Sequence, residues 1–372
     1  MNASYTKALQ QENIQPAGYP EVAPKVMEEG KDFEFVATVE IFPQVTLGDF
    51  SKISVDTPVV EIVDQDIEDT ITNLREQSAE FEVAEKAAET GDQVILNYVG
   101  KKDGETFEGG SAEGSTLDIG SGRMIPGFED ALIGMKAGDK KIAELSFPDD
   151  YHAEELKGAA VEFEMDVIEV KSKTLPELDA AFFEKFGENA KDEASFRELV
   201  KENMEKGLAQ RTKDEVKRQV MDGLIEEHTV TIPKAILKNE IDALRQQSMQ
   251  RFGGMQGMED MDLTSMLPDE LFSEEGERRA SLGLIVSAIT EESKLTVDEA
   301  RVDELVEEFA AGYEDPEQVR EYYQQDEMRR NLRALVMEEM VVETVLEKAK
   351  QQDKVMTYQA LMNPQPEAAE DA

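Results

Sequence analysis

The stretch IGSGRMIPGFEDALIGMKAGD, Ile119 to Asp139, decides how the rest of the chain is read. Its opening Gly120-Ser121-Gly122, running on to Gly127, has the look of a dinucleotide loop. A third glycine is missing at the right spacing, however, Pro126 intrudes, and no βαβ unit surrounds it. What surrounds it instead, from Gly91 to Lys171, is a set of short strands parted by glycine turns. Val94 to Val99 reads as a strand and Asp103-Gly104 as a tight hairpin turn. Leu117 to Ile119 and Ile142 to Phe147 are further short strands. Val161, Phe163, Met165 and Val167 alternate at the start of a longer one ending near Val170. Strands at this spacing predict a small antiparallel sheet domain of the α+β kind.

The flanks differ in period. On the N-terminal side Phe33, Phe35, Ala37, Val39 and Ile41 alternate, as in a half-buried strand. After Pro58 a helix is expected from Asp64 to Phe81, with Asp64 as N-cap and Ile67, Ile71 and Leu74 on its apolar side. From Leu175 onward the pattern is helical almost throughout. Phe196, Val200, Met204 and Leu208 fall four apart, and Val216, Val220 and Leu224 continue the stripe. Pro233 is expected at a first helical position, with Gly253-Gly254 stopping that helix. Thr296 and Glu299 form a capping-box pattern, and Pro316 after Asp315 opens a last long helix. The stripes are narrow, which fits extended arms with partly buried faces better than a closed bundle. The tail after Pro364 is polar and expected to be disordered.

Composition narrows the functions. The 372 residues exceed one ordinary core, so two or three domains are expected. Acidic residues number 83 against 39 basic ones, a formal charge of −44. That field repels nucleic acid and anionic lipid, and neither is expected as a partner. No cysteine is present, which excludes disulfides, thiol catalysis and zinc–thiolate sites. His152 and His228 are the only imidazoles, so no metal or other cofactor is expected. Met1 to Gln10 lacks the form of a secretory signal, and no stretch nears the roughly 18 apolar residues of a membrane span. A cytoplasmic protein is the expectation.

Hydrolytic and redox machinery is missing from the pattern. No glycine-flanked serine elbow occurs, and two histidines leave little scope for a Ser-His-Asp triad. Carboxylate pairs such as Asp149-Asp150 arise by chance in so acidic a chain. The informative residues are aromatic. Tyr98, Phe107, Phe128, Tyr151 and Phe163 are spread over the sheet region of a chain that is only 6% aromatic and has no tryptophan. On pattern alone they read as ordinary core.

Longer motifs change that weighting. Asn97-Tyr98-Val99-Gly100, DGETFEGG (Asp103 to Gly110), the Ile119 to Asp139 stretch and FPDDYHAEELKG (Phe147 to Gly158) together resemble the FKBP family, and in particular the isomerase domain of the trigger factor family. The flanks agree. IQPAGYPEV (Ile14 to Val22), FEFVATVEIFPQVTL (Phe33 to Leu47), LDAAFFEKFG (Leu178 to Gly187), LRQQSMQRFGG (Leu244 to Gly254) and YEDPEQV (Tyr313 to Val319) are similar to trigger factor sequences.

The resemblance implies an α+β multidomain chain. An FKBP-like antiparallel sheet wraps on a short helix beginning near Gly127, and a large all-α C-terminal domain carries extended arms. It divides the sequence into 1–48, a remnant of an N-terminal ribosome-binding domain, and 49–88, a linker with a helix. An isomerase domain follows at 89–171 and a helical chaperone domain at 172–372. It places Tyr98, Phe107, Ile125, Phe128, Tyr151 and Phe163 around one apolar pocket, with Leu117 and Met124 at its edges. Phe128 stands where many relatives carry tryptophan, and Glu108 where they carry aspartate. By the same resemblance the N–H of Ile125 holds the proline-side carbonyl and Tyr151 supplies a hydroxyl contact.

Such a pocket needs no acid, base or metal. Turning a peptide bond costs about 18–20 kcal/mol because resonance is lost. The twisted state is less dipolar than the planar ones, so a dry aromatic site favours it relative to water. The implied function is a folding chaperone for newly made or unfolded polypeptides that also isomerises X-Pro bonds. A stand-alone isomerase with dimerising helices and a pure holdase are the alternatives. Met249, Met255, Met258, Met261 and Met266 gather around a glycine break, as on adaptable binding surfaces, although a mobile loop reads the same way. No basic docking loop is found, so most of the N-terminal domain is expected to be lacking, with ribosome binding in doubt. A strand short of packing partners leaves homodimerisation open.

Overall fold

The computed structural model describes residues 2–26, 34–151, 153–187, 189–253, 267–313 and 315–364. They form two units, residues 62–206 and residues 1–61 with 207–372. The chain begins with α1 (Asn2–Glu12), β1 (Glu21–Val26) and β2 (Glu34–Thr38), the two strands pairing antiparallel with Glu21 opposite Thr38. Alternation holds along β2, where Phe35 and Ala37 are half-buried between exposed neighbours. Phe33 lies outside the described residues. Ile41 makes only an isolated bridge to Pro16 and stays 59% exposed. β3 (Ser54–Val59) follows.

Unit 62–206 opens with α2 (Asp64–Gln77). Its N-cap is Val63, not Asp64: the Val63 N–H donates to the Asp66 carboxylate at 3.0 Å, which satisfies one free donor of the first turn. The helix ends at Gln77, so Phe81 belongs to β4 (Glu80–Val83), which pairs with the end of a later strand. Ile71 is buried at 2% exposure.

β5 (Gln93–Lys102) and β6 (Glu105–Asp118) meet across Asp103 and Gly104, whose φ values of 53° and 85° are those a two-residue hairpin turn needs. β6 is one strand of 14 residues, not a short strand near Leu117; register shifts opposite Leu96–Tyr98 and Val99–Lys101 keep it paired where glycines would otherwise end it. α3 (Phe128–Leu132), β7 (Lys140–Ser146) and β8 (Ala160–Thr174) complete the domain. The order β4-β8-β5-β6, with β7 also on β8, gives a five-stranded sheet. Phe128 and Leu132 of α3 are fully buried with Val94, Leu96, Met165 and Val167. Burying each such side chain contributes about 1.5–3 kcal/mol.

Beyond β8, Asp179 caps α4 (Ala180–Glu184) by accepting from the Phe182 N–H at 2.9 Å. Phe182, Phe183 and Phe186 pack on Phe196 of α5 (Glu193–Glu227), with ring centroids 5.6, 5.1 and 5.1 Å away.

Residues 207–372 continue α5 and add α6 (Lys234–Gly253), α7 (Ser273–Glu292), α8 (Glu299–Ala310), α9 (Pro316–Tyr323) and α10 (Asp326–Leu346). β9 (Lys350–Val355) and α11 (Tyr358–Met362) follow. Two helix starts and one helix length differ in detail from expectation. Pro233 precedes α6 and lends its carbonyl to the Leu237 N–H at 3.1 Å. Asp298, not Thr296, caps α8 by accepting from Ala300 N–H at 3.0 Å. Asp315 and Pro316 open a helix as read, but it stops at Tyr323, and α10 begins afresh at Asp326. Gly254, Met255, Met258, Met261, Met266, His152 and residues 365–372 lie outside the described residues; Met249 sits in α6.

One strand interrupts the helices. β9 runs parallel to β3, from Ser54 opposite Lys350 to Val59 opposite Val355. The core beneath contains Val55, Leu224, Ile285 and Val345, all at 0% exposure. His228 closes it: its Nε2 accepts from the Gly48 N–H at 2.8 Å and its Nδ1 lies 2.7 Å from the Leu224 carbonyl. The ring is therefore neutral, with its proton on Nδ1. No helix among the described residues is long and apolar enough to cross a membrane.

Candidate active site

A cavity of about 430 Å³ opens on the sheet of unit 62–206. Tyr98 reaches it from β5, Phe107 and Glu108 from β6, and Phe163 from β8; Met124 and Ile125 come from the loop before α3, and Tyr151 from the segment after β7. Seven of the nine residues singled out in the sequence thus line one space. Phe128 and Leu117 do not. Phe128 is fully buried at the start of α3, behind the lining rings. Leu117 sits at the far end of β6, opposite Val94, and belongs to the domain core. It was expected at the pocket's edge; the length of β6 carries it away from Phe107.

The rings meet edge to face. Phe163 stands 5.1 Å from Phe128, 6.0 Å from Tyr98 and 6.2 Å from Phe107, with interplanar angles of 81°, 60° and 88°. Tyr98 also meets Phe128 at 5.3 Å and 81°. Contacts of this geometry add about 0.5–1.5 kcal/mol each beyond area burial and fix ring orientation. Phe147, missed in the sequence, lies 5.8 Å from Phe107 and 4.5 Å from Tyr151, linking the two sides of the cavity. Its place at the end of an alternating strand, directly before Pro148, was the available signal.

Two glycines make room for these rings. A Cβ on Gly100 would stand 2.7 Å from Phe163 and 2.8 Å from Phe107; one on Gly110 would stand 2.6 Å from Phe107. Glycine inside a strand often marks such close approach.

The polar rim is built by the loop from Gly120 to Ile125. The N–H groups of Gly120 and Gly122 donate to Glu129 Oε2 at 2.7 and 3.2 Å. Those of Arg123 and Met124, with the Ser121 hydroxyl, donate to Oε1 at 3.0, 3.4 and 3.0 Å. Burial pushes the Glu129 carboxyl up, but the hydrogen bonds from Gly122, Gly120, Ser121 and Met124 outweigh it and hold the group below its ordinary value. The next amide, that of Ile125, makes no hydrogen bond among the described residues, while the Ile125 carbonyl accepts from Phe128 N–H at 3.1 Å. Glu108 is exposed at the cavity mouth. Among the described residues no group of His, Asp and Glu could hold a metal ion.

The helical unit has a cavity of its own, of about 340 Å³, between α5, α8 and α10. Val216, Leu305, Phe309, Leu335, Val342 and Leu346 supply its apolar wall, and Lys213, Lys217, Glu308, Glu339 and Glu343 its charged margin. Phe309, Tyr313 and Tyr322 nearby in sequence are 36%, 65% and 48% exposed.

Comparison with known proteins bears on both units. Residues 84–168 match the family model of FKBP-type peptidyl-prolyl cis-trans isomerases. Residues 1–74 match the bacterial trigger factor protein model and residues 192–347 the model of its C-terminus. Trigger factor of Cellvibrio japonicus is 45% identical over 359 residues, covering 96% of this chain and 82% of its own. That of Thioalkalivibrio sulfidiphilus is 44% identical over 372 residues, covering 100% and 84%. The chain belongs to the trigger factor family. Its FKBP-type domain makes it a peptidyl-prolyl cis-trans isomerase, and the multidomain fold is that of trigger factor. A solved trigger factor chaperone, studied for promiscuous substrate recognition in folding and assembly, aligns at a TM-score of 0.39 with 20% identity, covering 92% of this chain and 82% of its own. One expectation is overturned. A chain lacking most of the trigger factor N-terminal domain does not fit a model match over residues 1–74, which include α1, β1, β2 and β3. The expectation weighed one absent basic loop; the match spans a whole run of helix and strands.

Proposed function

We propose that the cavity between Tyr98, Phe107 and Phe163 is where this trigger factor turns X-Pro bonds, within residues 89–171. The supporting observation is a single one: an aromatic cavity on whose rim the Ile125 amide makes no hydrogen bond among the described residues. A proline side chain fills the apolar space, and the Ile125 N–H holds the carbonyl on its far side. Neither contact needs a proton to move. The ring walls exclude water from the twisted bond, whose reduced dipole suits the site better than either planar form does. Tyr151 adds a hydroxyl contact, Met124 closes the rim, Glu108 stands at the mouth, and Phe128 supports the rings from behind. Phe107→Ala should lower kcat/KM on a proline-containing tetrapeptide by about tenfold or more, the equivalent of about 1.4 kcal/mol. An unchanged rate would remove the assignment.

The helical region, residues 172–372, holds newly made or unfolded polypeptides in the cytoplasm. The cavity with Leu305, Phe309 and Leu335 supports this reading, since apolar surface bounded by charge can grip many sequences weakly. Replacing those three with serine should abolish suppression of aggregation and leave tetrapeptide isomerisation intact. Association with ribosomes is supported by the match over residues 1–74. Co-sedimentation with vacant and translating ribosomes at low and physiological salt tests it, and no saturable binding would make this a free chaperone-isomerase.

A further inference from the structure

Between Gly120 and Ile125 the backbone amides are not equivalent. Ser121 N–H is used within the turn, donating to the Asp118 carbonyl at 3.2 Å. Gly120, Gly122, Arg123 and Met124 all give theirs to one carboxylate. Only Ile125 keeps its own, and Ile125 and Met124 line the cavity. The carboxylate responsible, Glu129, does not line it. It is 9% exposed, is held by backbone amides and the Ser121 hydroxyl, and follows Phe128, the ring behind the cavity. A buried charge held only by neutral dipoles is costly unless its donors are fixed, and here the donors belong to the active-site rim.

We propose that Glu129 is a positioning residue for isomerisation, the clamp that fixes the Gly120–Ile125 loop so that the Ile125 N–H stays turned to the substrate carbonyl. This rests on the reading of the aromatic cavity as the active site. Glu129 touches no substrate. It joins the rim to the floor by taking up four of the loop's amides, with that of Ser121 used in the turn, which leaves the loop with one free donor in one orientation. Loosening the clamp would let Ile125 turn away, while the apolar walls, and with them peptide affinity, remain.

The test uses the full chain with Glu129→Gln, whose amide group sets a donor against the loop's own donors. Hydrogen exchange at Arg123 and Met124 should rise about tenfold or more. On a proline-containing tetrapeptide kcat should fall about tenfold, with KM within about threefold of the parent, the pattern of a lost transition-state contact. Glu129→Asp keeps the charge but draws it back by one methylene. Its kcat, corrected for the folded fraction, should fall less than that of Glu129→Gln and in step with its loop exchange. A kcat that follows the folded fraction alone in both variants overturns the inference. Phe107→Ala measured alongside separates two failures. If it loses activity while Glu129→Gln keeps its kcat, only the clamp is wrong; if Phe107→Ala keeps the full rate, the site reading falls and the clamp with it.

Discussion

Phe163 on the central strand β8 meets Phe128 on α3 edge to face, centroids 5.1 Å apart and planes at 81°. One ring faces the cavity and the other is fully buried, so the contact ties the proposed catalytic surface to the packing of the FKBP-type domain. Stability and activity therefore share residues here, and tests must tell them apart.

Truncating either ring should show that link. Phe163→Ala and Phe128→Ala should each cost about 3–5 kcal/mol in denaturant unfolding of the domain. Because the rings touch, the double variant should lose less than the sum, with a coupling of about 0.5–3 kcal/mol. Strict additivity would mean that the ring contact contributes nothing of its own.

Gly110→Ala tests the room made for Phe107. The added methyl would meet the ring at 2.6 Å, so the ring must move. We expect kcat/KM to drop about fivefold or more while the melting temperature changes little. A crystal structure of the variant with Phe107 unmoved and activity intact would refute the account of this glycine.

In the other unit, His228→Leu removes the acceptor of the part-buried Gly48 N–H. The unit should lose about 0.5–1.5 kcal/mol, the usual net worth of a hydrogen bond whose donor can turn to water. Isomerisation of a tetrapeptide should be unaffected, and unfolding followed by two probes, one in each unit, will show where the loss falls.

Acid should act through Glu129. Its carboxyl is held below the ordinary value of 4.5, so its contribution is full above that value and is lost as pH falls through the lower, folded value. The stability gap between the parent and Glu129→Gln should therefore be wide near about pH 7 and narrow towards about pH 3. A gap constant over that range would mean that the loop does not depend on the charge.

The parts legible in the sequence were those that local physics writes. Asp103-Gly104 announces its turn, the alternation of Val161 to Val167 announces β8, and the aromatic set lines the cavity apart from Phe128, with Leu117 drawn off into the core. β9 was illegible because KQQDKV is exposed along its whole length and is held by backbone pairing with β3, almost three hundred residues away. Helix starts were misjudged at Val63 and Asp298, where several polar residues compete for the same amides. Glu129 looked like any of 83 acidic residues. Its meaning comes from a loop that bends back over it, which no periodicity records. Phe147 and Gly110 matter for the same reason, through neighbours brought near by the sheet.

The most direct test of the central claim is the refolding of an unfolded protein whose slow phase is limited by an X-Pro bond, followed with the parent chain and with Phe163→Leu. Leucine keeps the site apolar and the domain folded while removing the ring that contacts Tyr98, Phe107 and Phe128. The account predicts that the parent accelerates the slow phase and that Phe163→Leu loses about tenfold or more of that acceleration while still suppressing aggregation. Equal acceleration by both chains would contradict it, because the aromatic cavity would then not be where the bond turns.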